Sequence, residues 1–442
     1  MKTAFISKLF DFLISNLTPI FILYITVQLI YILLLPQQYT SDALYYYSLA
    51  KECYESNQFY PAAQHLYEDY LVAPFYINVL VTLLHIYNST LTITFFNLIV
   101  NILQLFFVYK ITQKYFDEKT AKLSAILYML YLNTIGLVLL NYTELFFTLL
   151  IISSIYFYTK KTTSALIISG VLIGASIAVR PAGWALLIGY LAIFSFNLFK
   201  YKKFEYQTTA MIAGVLLFIL LFGGFNQLHF GRFIFTSTTG PVNLLLGANE
   251  FATGGFNARV YEEGNAGYIA NPDTLTYIQT GDFYFQQALE WIGQNPVKWI
   301  GLMPLKLIHT FAYDDMAVST LAGMEDWNMI QSVKYIFSGN RKEVLPSDYL
   351  HLNVLYMLLQ TFHHVYYYFF VSLLIFCLVD RIKKNRFDEN FYPHILFVLI
   401  GISMIMVTVG APRYKYPFII VMLPFIATYL KLKFLEKVET EN

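Results

Sequence analysis

The apolar run at residues 21–35, FILYITVQLIYILLL, decides the class of protein to which this chain belongs. It is followed at residues 41–52 by SDALYYYSLAKE, in which a single carboxylate, Asp42, precedes three consecutive tyrosines. Many later runs approach or exceed the roughly 18–20 apolar residues that span a bilayer. Only 13% of the residues are charged, whereas soluble domains carry about 25%. The sequence therefore predicts an all-α polytopic membrane protein.

Basic segments divide the chain into pairs of apolar spans. Short loops rich in Lys and Arg stay on the cytoplasmic side of a membrane. The candidate loops are Lys2 with Lys8, residues 109–122, Lys160 with Lys161, and residues 200–206, 380–386 and 431–437. Spans are predicted near residues 17–36, 91–109, 122–140, 144–159, 164–180, 183–199, 207–228, 352–379, 391–410 and 416–432. We therefore expect about ten crossings in one integral membrane domain, residues 1–442, with both termini cytoplasmic and an uncleaved first helix.

Two regions are predicted to face the opposite, outer side. They are a first loop at about residues 37–90 and a long loop at about residues 229–350. The apolar segment at residues 73–87 is too short to cross and has a proline, Pro74, at its start, so we expect an interfacial helix there. Whether residues 297–349 cross the membrane stays open at this point.

Ionisable residues from distant parts of the chain fall on this predicted outer face. They are Asp42, Glu68, Asp69, Glu144, Arg180, Lys306, His309, Arg413 and Lys415. A cavity among them would have carboxylates on one wall and cations on another. Arginine and lysine bind phosphate well, and a carboxylate can deprotonate a hydroxyl or an amine. The composition suits a phosphate-bearing substrate whose apolar part lies in the bilayer.

Simpler, structural interpretations exist for these and other residues. Ionisable groups at helix ends often anchor a helix by snorkelling to the interface. Four acids are interpreted as solvated loop residues: Asp314, Asp315, Glu325 and Asp326. His363 and His364 show no pattern of metal ligands around them, so packing or interfacial placement is favoured. Gly170 and Gly174 form a GxxxG spacing, which favours close helix packing.

The order of several motifs is informative beyond each motif alone. An acid opens SDALYYYSLAKE, a proline-aromatic segment opens YLVAPFYINVLVTLLHIY, and a second acid opens TELFFTLL. A cation ends the next helix in AVRPAGW, and NLLLGAN, ALEWIGQNPVKWIGLMPLKLIHTF and PRYKYPFIIVMLPFIA follow. This order resembles the GT-C superfamily of membrane glycosyltransferases, which use polyprenyl-phosphate sugars. Within it, the chain resembles bacterial aminoarabinose transferases and protein O-mannosyltransferases.

The resemblance implies a GT-C-like bundle of about ten or more transmembrane helices with interfacial helices and loops on the outer face. It implies that Asp42 is the catalytic base, which activates an acceptor for inverting attack on the anomeric carbon of a lipid-linked sugar. Arg180, Lys306 and Arg413 would hold the donor phosphate, and Glu144 would position donor or acceptor. The remaining candidates for substrate binding are Asp69, His309, Tyr414 and Lys415.

The first acidic motif differs between this chain and the families it resembles, and the difference bears on whether the reaction needs a metal. Many relatives carry a second acid beside the first, whereas Ala43 and Leu44 follow Asp42 here. A lone carboxylate is a poor site for a divalent cation, which prefers several oxygen ligands. We therefore expect no cofactor and a metal-independent reaction, with a divalent cation as the alternative.

The implied partners are a polyprenyl-phosphate sugar donor, a lipid, glycan or protein acceptor, and the lipid bilayer. The implied location is the bacterial inner membrane, with the active site facing outside. A net charge of +1 offers no reason to expect nucleic acid. Two alternatives stay open, a transporter or flippase for lipid-linked saccharides and a polymerase or ligase of such saccharides. A transporter should show internal repeats and ionisable residues near the bilayer midplane, so charges at helix ends favour an enzyme.

Overall fold

The computed structural model of the chain describes residues 2–35, 39, 41–202, 204–314, 316–321, 353–384 and 390–435. These residues form helices and connecting turns, with no strand among them, so the predicted all-α fold is confirmed. The first nine helices are α1 Lys2–Ser15, α2 Leu17–Leu34, α3 Ser41–Glu55, α4 Pro74–Ile86, α5 Thr90–Tyr115, α6 Glu118–Leu130, α7 Asn133–Leu139, α8 Thr143–Tyr158 and α9 Thr163–Val179. The later helices are α10 Trp184–Tyr201, α11 Tyr206–Phe230, α12 Gly240–Leu246, α13 Tyr277–Gln294, α14 Pro296–Phe311, α15 Met316–Leu321, α16 Asn353–Lys383, α17 Phe391–Val407 and α18 Tyr416–Leu430.

Several helices are long and apolar enough to cross a membrane. Within the described residues, six meet this test: Leu17–Leu34, Thr90–Tyr115, Pro181–Tyr201, Tyr206–Phe230, Tyr356–Lys383 and Pro412–Lys433. The bent pair of α6 and α7 makes a seventh if it is counted as one span. The shorter apolar helices α8, α9 and α17 coincide with the remaining predicted spans. The protein is thus a polytopic membrane protein, and the number of ten crossings stays a prediction.

One predicted span, residues 122–140, is not a continuous helix. It is broken after Leu130 into α6 and α7, whose axes differ by 54°. At the break the Tyr131 amide bonds to the Tyr128 carbonyl, and the hydroxyl of Thr134 bonds to the Tyr131 carbonyl. Such tighter bonds replace the regular helical ladder and account for a kink. The break also places Tyr131 where a distant part of the chain can reach it.

The predicted cytoplasmic loops meet at one end of the bundle. Lys431 Nζ lies 2.8 Å from Asp117 Oδ2, and Lys433 Nζ lies 3.3 Å from Asp380 Oδ1. These contacts join three of the basic segments singled out by their charge. Because α8 and α18 are about 23 Å long at 1.5 Å per residue, the residues at their first turns lie at the other end.

The two predicted outer loops are fastened to each other at that other end. The Leu71 amide donates to Thr238 Oγ1 (2.7 Å), and the Thr238 amide donates to the Leu71 carbonyl (2.8 Å). The Gly410 amide, just before α18, donates to the Gly254 carbonyl at 2.9 Å. The helix predicted near residues 73–87 is present as α4, and its position relative to a membrane stays a prediction.

Small residues permit close contact between α9 and α11. A side chain at Gly170 would meet the carbonyl of Met211, and Gly214 lies opposite on α11. Gly174 faces the side chain of Phe218 in the same interface. The close packing predicted from the GxxxG spacing is confirmed. The α18 span is 78% buried and therefore forms the centre of the bundle.

Candidate functional site

Four charged side chains from four separate elements touch one another in a row. Asp42 lies in the first turn of α3, Glu144 in the first turn of α8, and Arg180 directly after α9. Arg413 lies in the 3-10 turn Pro412–Lys415, which precedes α18. Arg413 Nη2 contacts Asp42 Oδ2, and Arg413 Nε lies 3.2 Å from Glu144 Oε1. Arg180 Nη1 contacts the same oxygen of Glu144, so the row Asp42–Arg413–Glu144–Arg180 is continuous; we call it the charge cluster.

The local sequence explains why these side chains meet at helix ends. Pro181 disfavours a helical conformation at the preceding residue, and Arg180 is accordingly extended, with φ −147° and ψ 135°. Pro412 opens its 3-10 turn at the position where a missing amide hydrogen costs nothing. Asp42 and Glu144 stand in first turns, where the helix dipole favours negative charge. Each residue is therefore placed by an ordinary helix boundary.

Aromatic rings complete the surroundings of the two arginines. The Arg413 guanidinium lies 5.0 Å from the ring centre of Tyr142 and 5.8 Å from that of Tyr414. The Arg180 guanidinium lies 5.0 Å from the Tyr414 ring. A guanidinium over an aromatic ring is attracted by the ring's negative face. Tyr414 thus holds both arginines from one side, which restricts their movement.

The members of the charge cluster differ strongly in exposure. The side chain of Glu144 is 1% exposed, whereas that of Asp42 is 40% exposed. The two arginine side chains lie between these values, at 19% and 18%. Glu144 is thus a buried counter-ion that holds two like charges together. Asp42 is the member that a solute can approach most freely.

A second group of polar side chains is buried beside the cluster. Lys415 Nζ lies 3.1 Å from Asp314 Oδ1, and Asp314 Oδ2 lies 3.2 Å from His363 Nε2. The Tyr131 hydroxyl donates to Asp314 Oδ2 at 2.6 Å, and the Asn133 amide group donates to that hydroxyl at 3.2 Å. Burial alone raises the pKa of Asp314, but the Lys415 charge and the His363 hydrogen bond outweigh it and lower that pKa below its usual range. We call these five residues the buried polar group.

The interpretation of Asp314 as a solvated loop acid is wrong. Asp314 is only 2% exposed, because the break between α6 and α7 brings Tyr131 to it and α16 brings His363. His363 is fully buried as the packing interpretation requires, and it also bonds a carboxylate. Asp315, Glu325 and Asp326 lie outside the described residues.

Lys415, predicted to bind substrate, is turned into the protein. Its ammonium donates to the carbonyls of Thr310 (2.9 Å), Tyr313 (2.6 Å) and Pro412 (3.0 Å), and the residue has no exposed surface. These bonds fasten the short turn that carries Arg413 to the end of α14. Lys415 therefore positions Arg413 and leaves no donor facing an open site.

Lys306 has a comparable place. Its ammonium donates to the carbonyls of Met406 (3.1 Å) and Val407 (3.2 Å), the last residues of α17, and lies 5.7 Å from the Trp299 ring centre. A cation at a helix C-terminus satisfies free carbonyls and the helix dipole. Because the residue is fully buried, the pKa of Lys306 is lowered to about 8.

Two further candidates lie in other surroundings. Asp69 is exposed, and partial burial together with the nearby Asp273 raises the pKa of Asp69. His309 lies on α14 with its ring against Gly255. The structure therefore brings together Asp42, Glu144, Arg180, Arg413 and Tyr414. The other four candidates contact different residues, outside this group: Lys306, Lys415, His309 and Asp69.

Sequence reasoning missed several residues around the cluster. Tyr46 stands one helical turn after Asp42, and burial together with the Asp42 charge raises the pKa of Tyr46. The Thr143 hydroxyl accepts a bond of 3.1 Å from Arg180. The four-residue spacing of Tyr46 could have identified it, because residues four apart share a helix face. Tyr131 had no such signal, since it depends on a break within an apolar run.

A small pocket lies between the charge cluster and the buried polar group. It is lined by Asn133, Leu137, Asp314, Ala317, Pro412, Arg413 and Tyr416. No group of three or more His, Cys, Asp or Glu side chains that could hold a metal occurs within the described ranges. Both carboxylates of the charge cluster already have arginine partners.

Comparison with known proteins bears on the fold. No protein-family model and no curated protein matches the chain by sequence. Among solved structures, it is similar to archaeal oligosaccharyltransferase AglB from Archaeoglobus fulgidus in complex with an inhibitory peptide and a dolichol-phosphate, with 14% identity, a TM-score of 0.50, and 96% of this chain and 51% of that one covered. It is also similar to the A. fulgidus oligosaccharyltransferase tethered with an acceptor peptide containing the NVT sequon, with 13% identity, a TM-score of 0.50, and coverage of 96% and 50%.

This likeness concerns the fold alone, and the chain spans about half the length of the structures it matches. The likeness supports the predicted helical membrane fold, and the assignment to the GT-C superfamily stays a prediction. The narrower resemblance to aminoarabinose transferases and protein O-mannosyltransferases stays a prediction.

Proposed function

We propose that this membrane protein is a glycosyltransferase that moves a sugar from a polyprenyl-phosphate donor to an acceptor on the outer face of the membrane. The observation that carries the proposal is the charge cluster, in which an exposed carboxylate stands beside two arginines fastened to a buried acid. A carboxylate can take a proton from a nucleophile, and arginines bind phosphate oxygens. The shared fold adds support, because one similar structure contains a dolichol-phosphate.

The chemistry needs only one displacement. The lone pair of an acceptor hydroxyl or amine attacks the anomeric carbon while Asp42 accepts the proton. The bond between that carbon and the phosphate oxygen breaks, and its electron pair leaves with the polyprenyl phosphate. Arg413 and Arg180 stabilise the charge on the departing phosphate. A single displacement inverts the configuration of the sugar, and Asp42 afterwards returns its proton to water.

The other residues take supporting parts. Glu144 holds the two arginines at one place, and Tyr414 covers them. Lys415 and Lys306 fasten the turns around the site to main-chain carbonyls. Burial and the charges of Asp42 and Asp69 raise the pKa of Tyr70, so Tyr70 lies close to both acids. Asp69 therefore stays a candidate for contact with the acceptor. His309 stays a candidate for substrate binding because it lies on the predicted outer face.

We propose a metal-independent reaction. The charges that a cation would neutralise on Asp42 and Glu144 are already balanced by Arg413 and Arg180. The sugar is a hexose or a pentose, and the acceptor a lipid, a glycan or a protein. The proposed location is the bacterial inner membrane, with both termini cytoplasmic. A transporter or a polymerase of lipid-linked saccharides is the alternative, and the position of the charge cluster at helix ends favours transfer over transport.

The test is release of polyprenyl phosphate from short-chain polyprenyl-phosphate hexoses and pentoses. It is measured in detergent with a mixture of lipid and peptide acceptors, both with and without a metal chelator. We expect wild type to be active and Asp42→Asn to be inactive. The matched control is Glu55→Gln, on the same helix but exposed and paired with Lys51, which should keep full activity. Equal activity of wild type and Asp42→Asn would refute the role of the base. Activity that chelator abolishes would refute metal independence.

A further inference from the structure

We propose that Arg413 is a latch on the catalytic carboxylate. In the resting protein its guanidinium holds Asp42, and the donor phosphate takes the place of Asp42 on that guanidinium. The base is therefore released only when the donor is bound. This inference rests on the proposed function and adds an order of events to it, in which the donor binds first and the acceptor is activated afterwards.

The two acids that Arg413 holds are unequal partners. The Glu144 side chain is 1% exposed, so separating it from Arg413 would leave a buried carboxylate short of a partner. The Asp42 side chain is 40% exposed, so on leaving Arg413 it returns to water. Ion pairs with an exposed member are weak because water replaces the lost contact. Of the two contacts, the one to Asp42 is the one that a ligand can displace.

Arg413 stays in position when Asp42 leaves. Different nitrogens serve the two acids, Nη2 for Asp42 and Nε for Glu144. The guanidinium also lies against the Tyr142 ring, and the turn that carries it is fastened through Lys415. Release of Asp42 therefore frees one edge of a guanidinium that is already oriented. A preformed edge of this kind matches phosphate oxygens in a bidentate manner.

Charge balance favours the exchange. The two arginines and two acids of the charge cluster sum to zero (2 − 2 = 0). Without Asp42, two arginines and Glu144 leave a charge of +1 (2 − 1 = +1). A sugar phosphodiester carries one negative charge and restores the balance. One phosphate thus replaces one carboxylate.

The exchange also prepares Asp42 for its reaction. While Arg413 donates to Oδ2, fewer lone pairs of the Asp42 carboxylate are free to accept a proton from the nucleophile. After release, both carboxylate oxygens are open to a nucleophile arriving from the exposed side.

The test is equilibrium binding of a sugar-free phosphodiester of a short-chain polyprenyl alcohol, which carries one negative charge like the donor, to the full chain in detergent. The variants are Asp42→Asn, the charge control Glu55→Gln, Arg413→Gln, and the double variant Asp42→Asn/Arg413→Gln. We expect Asp42→Asn to lower Kd about two- to fivefold, the range expected for loss of a weak competing ion pair. Glu55→Gln should leave Kd unchanged. In the Arg413→Gln background, Asp42→Asn should give no tightening, because the shared guanidinium is gone.

The outcomes are distinguishable. Equal tightening by Asp42→Asn in both backgrounds would overturn the latch, since Asp42 would then act by its charge alone. Unchanged or weaker binding by Asp42→Asn would also overturn it, while binding by wild type would leave the proposed donor class standing. Absence of binding by every protein would overturn the proposed function and the latch with it. If Arg413→Gln does not fold, Arg413→Lys serves instead, and the tightening should shrink there because a single ammonium replaces two separate donors.

Discussion

The bonds of Lys415 predict that Lys415→Met destabilises the protein strongly. Its ammonium lies in the buried polar group, 3.1 Å from Asp314 Oδ1, and donates to three main-chain carbonyls. Methionine fills a similar volume but carries no charge and no donor. The substitution therefore leaves the buried Asp314 carboxylate without its lysine counter-ion. The Tyr131 hydroxyl and the His363 ring remain as its hydrogen-bond partners.

The magnitude follows from the burial of both partners. The side chains of Lys415 and Asp314 are 0% and 3% exposed, so solvent screens their interaction little. Removing one member of a buried ion pair costs about 3–5 kcal/mol, mainly because the other charge stays uncompensated. The lost carbonyl bonds belong to the same event and do not add in full. We expect a loss of about 4 kcal/mol in the free energy of unfolding.

The assay is unfolding in mixed detergent micelles followed by helical circular dichroism. The matched control is Lys298→Met on α14, whose side chain is 62% exposed and forms a surface pair with Glu250, with an expected loss of about 0.5 kcal/mol or less. The double variant Lys415→Met/Asp314→Asn should lose less than the sum of its single variants, by roughly 1–3 kcal/mol. A Lys415→Met protein as stable as the Lys298→Met control would refute the reasoning, and additive single effects would show that the two residues are not coupled.

Three further predictions concern other parts of the bundle. Glu144→Gln removes the anion shared by two arginines and should cost about 3 kcal/mol of unfolding free energy; a value within about 0.5 kcal/mol of wild type would contradict the cluster. Burial lowers the pKa of Lys306 to about 8, so between pH 8 and 10 the folded protein binds fewer protons than the unfolded one. The unfolding free energy should then rise by up to about 1 kcal/mol per pH unit, and Lys306→Met should abolish that slope; an unchanged slope would show another origin. Gly170→Leu should lower the melting temperature by forcing α9 away from α11, whereas Gly224→Leu, where a side chain meets open space, should not; equal effects would contradict the tight contact.

Most of the helices could be predicted from the sequence because their signals are local. Apolar length marks a span, Lys and Arg mark one end of it, and proline marks where it stops. The starts of α8 and α18 and the end of α9 were accordingly expected within a residue or two. The break between α6 and α7 was not, since an apolar run of sufficient length carries no sign of a 54° bend.

By itself the sequence determined that this is a helical membrane protein. It also placed four charged residues at helix ends on the same side of the membrane: Asp42, Glu144, Arg180 and Arg413. Both follow from neighbouring residues along the chain, namely apolar periodicity, basic loops and prolines. Only the tertiary structure decided which charges meet. Asp42 and Arg413 are 371 positions apart. Nothing in the local sequence shows that Arg413 pairs with a carboxylate of the site. Nor does it show that the ammonium of Lys415, two residues later, donates to main-chain carbonyls. Burial and pairing are properties of packed helices, because a charge enters the interior only where distant segments supply its partners.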